Sequence, residues 1–294
     1  MTTVAVVGTG RMGSAMARAI ARGGPTLVVH NRSRERAEAL ADELGARVAS
    51  TPAEAASAAD ISITMLADGD AVSAVWGGPD GLVAGARSGS VLVDMSTVPP
   101  DALEPFAAPA RERGAGIVDA PVSGSIALAE AGELTVMAGG SSEDLERARP
   151  ALDLVAKQVT HVGPLGSGAA IKLAVNAVIF ALNNGVSEAL VLAERAGVDR
   201  ALAYEVFATS AVGAPYLGYK RDAFVDPESS PVAFSLGLAA KDLRLITELA
   251  DRLGVSVPQA RANRALIGDA SASLGPDHDF SAVATHLRQL AGAS

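Results

Sequence analysis

Short strand-like runs, the first of them continuously apolar, recur through the first half of the chain, separated by segments with helical spacing. TVAVV at residues 3–7 is the first, and others fall at 27–30, 61–66, 91–94, 117–120, 133–138 and 158–161, with Val48 opening or forming a short one. Runs of this length, bounded by Gly, Pro, Asn or Asp, are expected of parallel strands covered on both faces. The stretches between them, including SAMARAIARGG, RERAEALADEL and residues 142–155, place apolar side chains three and four apart, as helices do. Thr51-Pro52-Ala53-Glu54 has the form of a capping box, and Val98-Pro99-Pro100 predicts another helix start. The strand–helix rhythm persists to about residue 162 and predicts a doubly wound α/β sheet.

After Gly163-Pro164 the strand pattern stops. Residues 166–197, GSGAAIKLAVNAVIFALNNGVSEALVLAERAG, contain no proline. They predict one helix of about eight turns, with a glycine-rich entrance and Gly197 as its stop. Apolar residues surround its first half, which predicts burial on most sides. Within that run Lys172 and Asn176 stand four apart, one above the other on one face. A lysine is seldom buried without a partner or a purpose; snorkelling or pairing with an acid is the alternative. Helical patterns follow at 201–210, within 230–253, at 258–272 and at 281–290, with a Gly/Pro break near Ala214-Pro215. The chain is therefore expected to hold two domains, residues 1–163 and an all-helical 164–294 built on the long helix.

Composition narrows the chemistry. Hydrophobic residues make up 49% of the 294 and aromatics only 3%, so Ala, Val, Leu and Gly must carry globular cores. A net charge of −9 argues against nucleic-acid and acidic-membrane partners. There is no cysteine, which excludes disulfides, thiolate catalysis and cysteine-ligated metals. His30, His161, His278 and His286 lack metal-ligand spacing, so no metal site is expected. The strand pattern begins at residue 3, which argues against a signal peptide, and the apolar runs are short or interrupted by Lys172 and Asn176. A cytoplasmic protein is expected.

Gly8-Thr9-Gly10-Arg11-Met12-Gly13 lies between the first strand and the first helix, as a G-x-G-x-x-G. Gly8 permits the tight turn, Gly10 lets backbone approach a pyrophosphate at the helix N-terminus, and Gly13 lets helix and strand pack closely. This context predicts a Rossmann-type domain with Gly8, Thr9, Gly10, Arg11, Met12 and Gly13 around a dinucleotide. The second strand ends in Asn31-Arg32-Ser33, where an NAD-binding chain usually carries an acid for the ribose 2′-hydroxyl. Asn, Arg and Ser can instead hydrogen-bond a 2′-phosphate, so NADP is favoured over NAD. Ser33 also suits a helix N-cap. Met65, Leu66 and Thr97 sit at later strand tips, where ligands of open α/β sheets bind; Met65 and Leu66 suit a core equally well.

Four segments then line up in order: VAVVGTGRMG near the start, DAPVSGS at 119–125, GSGAAIKLAVN at 166–176, and Lys241-Asp242-Leu243. With these the chain resembles the β-hydroxyacid dehydrogenases, the family of 3-hydroxyisobutyrate dehydrogenase and tartronate semialdehyde reductase, and more distantly the 6-phosphogluconate dehydrogenases. The resemblance covers nearly the whole chain. It implies an NAD(P)-dependent oxidoreductase acting on a small β-hydroxy acid or its semialdehyde.

By the same resemblance, Lys172 is the general acid/base and Asn176 its substrate-orienting partner. Ser123, Gly124 and Ser125 belong to the loop that holds a substrate carboxylate, and Lys241 lies near both nicotinamide and substrate, with Asp242 orienting it. Met65, Leu66 and Thr97 match cofactor contacts. A lysine in this role needs its pKa lowered from about 10.4 toward neutrality, which apolar surroundings favour. Ser125 departs from the motif's second glycine and Val175 from a common asparagine. On spacing alone Lys241-Asp242 would be an exposed charge pair, and Asp119 and His161 are read as structural. Imine reductases resemble the NADP half but typically carry another residue at the Lys172 position; a non-catalytic NADP-binding sensor is the other alternative. The apolar long helix predicts a homodimer or homotetramer.

Overall fold

The computed structural model describes residues 2–292. The chain divides into two compact units between Lys172 and Leu173. The first contains β1 (Thr3–Val7), α1 (Arg11–Arg22), β2 (Thr26–His30), α2 (Arg34–Leu44), β3 (Arg47–Val48), α3 (Pro52–Ala58), β4 (Ile61–Thr64), α4 (Gly69–Trp76), α5 (Leu82–Gly85), β5 (Val91–Asp94), α6 (Glu104–Glu112), β6 (Gly116–Asp119), β7 (Val122–Ser123), α7 (Ile126–Ala131), β8 (Leu134–Gly140), α8 (Ser142–Val155) and β9 (Ala156–Gly163). The strands form one sheet in the order β3-β2-β1-β4-β5-β6-β8-β7, with β9 paired to β8. β1 to β6 are parallel throughout, and β8 runs antiparallel to β6 and β7. This is the doubly wound, Rossmann-type layer that the apolar runs predict.

Successive side chains of a strand point to opposite faces, and β1 shows both being filled. Val4 and Val6 join a core with Met16 and Ile20 of α1, whereas Ala5 and Val7 join one with Trp76 of α4 and Leu82 of α5. Small side chains on β1 let helices approach from either side. Thr51 caps α3 by accepting the Glu54 N–H at 3.0 Å. The reciprocal arm of the expected capping box reaches the Ser50 N–H at 2.7 Å, one residue earlier than the motif implies. The expected helix start at 98–100 is displaced: α6 begins at Glu104. Val98 and Pro99 each precede a proline, which steers them away from helical backbone.

The long helix is α9 (Ser167–Arg195), and Gly197 stops it with a positive φ of 88°. Then follow α10 (Arg200–Thr209), α11 (Pro215–Val225), α12 (Leu236–Leu253), α13 (Pro258–Leu274), a 3-10 turn (Phe280–Ala282) and α14 (Val283–Leu290). α11 occupies the place where only a Gly/Pro break is expected, and Pro215 is its first residue. By length and composition α9 could cross a membrane; Leu173, Phe180, Val186 and Leu190 along it instead enter the helical unit's core. The expected burial fails along one side of the helix. Ile171 (41% exposed), Val178 (68%) and Leu192 (73%) stand out of the folded chain, at spacings that put them on one side of the helix.

Candidate functional site

The parallel register lines up His30, Val7, Thr64, Asp94 and Asp119 in one row across the sheet. The cofactor and substrate-loop residues expected within this unit follow directly from that row. Asn31-Arg32-Ser33 continue β2, the glycine loop continues β1, Met65-Leu66 continue β4, Ser96-Thr97 lie just past β5, and Ser123-Gly124-Ser125 just past β6. All therefore lie at the carboxyl edge, where open α/β sheets bind ligands.

At the centre is the β1–α1 turn. Gly8 has φ 98°, and a Cβ there would lie 2.4 Å from the Met65 carbonyl oxygen. A Cβ on Gly13 would lie 1.9 Å from the Gly8 oxygen, whereas one on Gly10 would meet nothing within 4 Å. Gly8 and Gly13 thus serve packing, and Gly10 keeps its side open. α1 receives no side-chain cap and has no acid in its first turn, so its N-terminal N–H groups and dipole favour an anion. Thr9 Oγ1 is buried without a hydrogen-bond partner beside this opening. These features fit a dinucleotide pyrophosphate. Arg11 is exposed at the head of α1, and Met12 packs partly against the sheet core.

Asn31 is built into the loop structure. Its Oδ1 accepts the Thr9 N–H at 3.1 Å and its Nδ2 donates to the Ser33 carbonyl at 3.0 Å, tying the glycine loop to the β2 tip. Ser33 is the N-cap residue of α2 but makes no capping bond. Arg34 is turned to Glu38 at 2.7 Å. Arg32 and Ser33 are exposed at the tip.

Asp119 joins two of the sequence motifs. Its carboxylate accepts the N–H of Gly166 through one oxygen and of Ala169 through the other, each at 2.7 Å. These amides belong to the start of α9, so an acid at the end of β6 satisfies donors that a helix leaves orphaned. Burial raises the Asp119 carboxyl above its ordinary range, and the amides of Ala169 and Gly166 oppose that rise. A Cβ on Gly168 would lie 2.3 Å from the Met137 oxygen, so glycine allows α9 to start this close to the sheet. Ser125 accepts the Leu128 N–H at 3.3 Å and caps α7, which uses a lone pair of its hydroxyl and leaves its proton to donate.

Lys172, one turn past Ala169, is half-buried, less enclosed than its apolar neighbours suggest. Asn176, one turn further on the same face, is buried. Its Nδ2 donates to Asp242 Oδ2 at 2.7 Å, and Lys241 Nζ lies 2.9 Å from the other Asp242 oxygen. Asp242 is 1% exposed. One carboxylate therefore gathers Asn176 of α9 and Lys241 of α12, and the exposed-pair alternative for Lys241-Asp242 does not hold. Asp94, Thr64 and Ser96 belong to none of the sequence motifs; their signal in the sequence is two polar residues, Asp94 and Ser96, flanking Met95 at a strand tip.

Comparison with known proteins agrees with this layout. Residues 3–163 match the NAD binding domain of 6-phosphogluconate dehydrogenase. Residues 166–287 match the domain described as NAD-binding of NADP-dependent 3-hydroxyisobutyrate dehydrogenase. The chain is 33% identical to the 3-sulfolactaldehyde reductase of Escherichia coli over 99% of its own length and 98% of that protein's. It superposes on Mycobacterium tuberculosis 3-hydroxyisobutyrate dehydrogenase with L-serine at a TM-score of 0.85 and 30% identity, covering 98% and 99% of the two chains. Psf3 in complex with NADP+ and 2-OPP gives a TM-score of 0.87 at 27% identity over 97% and 99%. With the glycine loop, the Asp119 anchor and the Asn176–Asp242–Lys241 cluster in place, this chain belongs to the NAD(P)-dependent β-hydroxyacid dehydrogenase family.

Proposed function

We propose that the chain transfers a hydride between NADP(H) and a small β-hydroxy acid or its semialdehyde, with Lys172 as general acid/base. The observation that carries this is the buried Asp242 bridge. Because Asn176 spends its Nδ2 on Asp242, its Oδ1 remains to accept a hydrogen bond from a substrate hydroxyl. Lys172 Nζ, on the same face of α9, takes the hydroxyl proton in oxidation and returns it to the carbonyl oxygen in reduction. The bound nicotinamide supplies or accepts the hydride. Ser123 and the Gly124 backbone hold the carboxylate, and Ser125 shapes the loop through its capping bond.

NADP is favoured because the β2 tip offers exposed Arg32 and Ser33 and no acid, and because the structural relative Psf3 carries NADP+. A homodimer or larger homo-oligomer is favoured by the apolar stripe Ile171, Val178 and Leu192, which a second copy would cover.

The test is steady-state kinetics with NADPH and NADH over a panel of 3-hydroxyisobutyrate, succinic semialdehyde, glyoxylate, tartronate semialdehyde, 3-sulfolactaldehyde and cyclic imines. Turnover of a hydroxy acid or semialdehyde, with higher kcat/KM for NADPH, is expected. Turnover confined to the imines, or none with NADPH binding retained, would overturn the proposal.

A further inference from the structure

Polar groups at the ends of β4 and β5 form one buried chain of hydrogen bonds that none of the roles above uses. Trp76 Nε1–H donates to Thr64 Oγ1 at 3.2 Å, and the Thr64 hydroxyl donates to Asp94 Oδ1 at 2.6 Å, with a longer contact to the Val93 carbonyl at 3.3 Å. The Ser96 hydroxyl donates to the same Asp94 oxygen at 2.7 Å, and Ser96 Oγ receives the Leu66 N–H at 2.8 Å. A hydroxyl has one proton to give. Both are spent on Asp94, so both oxygens turn lone pairs outward, one to Trp76 and one to Leu66. Asp94 therefore sets the direction of the whole chain. It is 1% exposed, and its Oδ2 has no hydrogen-bond partner.

The far end of this chain reaches the glycine loop. A Cβ on Gly8 would lie 3.0 Å from the Leu66 side chain as well as 2.4 Å from the Met65 oxygen, and the Met65 N–H bonds the Val7 carbonyl at 3.0 Å. The β4 tip is thus the floor on which the Gly8–Gly13 turn rests. Resting on the dinucleotide reading above, we propose that Asp94 is a positioning residue for dinucleotide binding. As a carboxylate it holds Ser96 and, through it, the Leu66 amide; once protonated it loosens that hold, so affinity falls with pH.

The surroundings make such a protonation accessible. Burial raises the Asp94 carboxyl to about 6, the Thr64 and Ser96 hydroxyls oppose the rise, and Asp119, its register partner on β6, adds to it. Of the helices packed nearby, α4 contributes Trp76, and α8 carries Asp144 already paired with Arg147 at 2.8 Å. Hydrogen bonds to a charged acceptor are roughly twice as strong as neutral ones, so a shift in charge is felt at both hydroxyls.

The experiment is NADP+ binding to the full-length chain by calorimetry from roughly pH 5 to pH 8. It is paired with emission from Trp76, the single tryptophan, recorded without nucleotide. In the unsubstituted protein Kd is expected to rise about fivefold more on acidification than in Asp94→Asn, which has no charge to lose. Titration of the nucleotide's own 2′-phosphate is common to both proteins and cancels in that comparison. Trp76 emission should titrate near pH 6 in the unsubstituted protein and stay flat in Asp94→Asn. Ser96→Ala, a smaller perturbation, should weaken binding at every pH and lose the step in Kd, yet keep the emission change through Thr64. Parallel Kd curves for the unsubstituted protein and Asp94→Asn, or a flat Trp76 emission, would overturn the coupling alone. A chain that binds no NADP+ even near neutral pH would overturn the dinucleotide reading and this inference with it.

Discussion

The side-chain amide of Asn176 has a donor end and an acceptor end, and Asp242 decides which is spent. Replacing Asp242 with Asn would set an amide against an amide and let Asn176 turn over. Turnover is then expected to fall by about 10- to 100-fold while NADP+ affinity changes little, a kcat-against-Kd split readable by kinetics and calorimetry. Lys172→Ala should reduce turnover by about 10² or more with nucleotide binding near normal; near-full activity would remove Lys172 from the chemistry. At the β2 tip, Arg32→Glu should lower the ratio of kcat/KM for NADPH over NADH by about tenfold or more, since it exchanges a phosphate-binding fork for a repelling charge. An unaltered ratio would return the preference to other residues.

Among the elements, the start of α9 depends most on a single side chain. Asp119 offers one oxygen to each of two amides. Asn can accept at only one end, so Asp119→Asn leaves a buried N–H facing an NH2 group and should cost about 2–3 kcal/mol in denaturant unfolding. Gly268 in α13 is the opposite case, exposed with nothing within 4 Å of a would-be Cβ. Gly268→Ala should stabilise by about 0.5–1 kcal/mol.

These contrasts also explain how much was legible beforehand. The central strands β1, β4, β5 and β6 could be found because burial on both faces leaves no polar alternation to blur them, and α9 because nothing interrupts its spacing. α4, α5 and α7 span eight, four and six residues, too few for a period to emerge. Their local signals are caps such as Asp68 and Ser125, and the substitution of a motif glycine at Ser125 hides its capping role. The motif residues of the site were legible by type and spacing. Asp94 and Ser96 were not, because their partners lie some 30 residues away along the chain and only the sheet register brings them together.

For the molecule as a whole, buried carboxyls pull stability in two directions. Asp94 and Asp119 are raised, so what they contribute is fully present below the ordinary carboxylate range and is lost as pH rises through their folded values. Burial would raise Glu194 and Asp279 too. Arg288 and Arg200 nevertheless hold Glu194 below its ordinary value, and Lys220 with the Ser281 and Phe234 amides does the same for Asp279. Their contribution is present above the ordinary range and is lost as pH falls below about 4. Tm should therefore peak near pH 4, fall on the acid side, and fall as pH rises to about 6 before levelling off, with Asp94→Asn flattening that alkaline limb; a Tm that climbs steadily to neutral pH would contradict this balance. At the same scale, Val178→Asp should convert an oligomer to a smaller species by light scattering after gel filtration, because it places a charge in the exposed apolar stripe of α9.

The grip of Asp119 on Ala169 also makes the first turns of α9 a gauge. From that fixed amide, three residues lead to Lys172 and seven to Asn176, and each residue advances a helix by about 1.5 Å and 100°. One alanine inserted after Ala169 would swing the amine and the amide a quarter-turn or more away from their present bearing without touching the anchor. One inserted after Gly197 would leave that bearing intact, so two insertions of identical size should have opposite consequences for turnover.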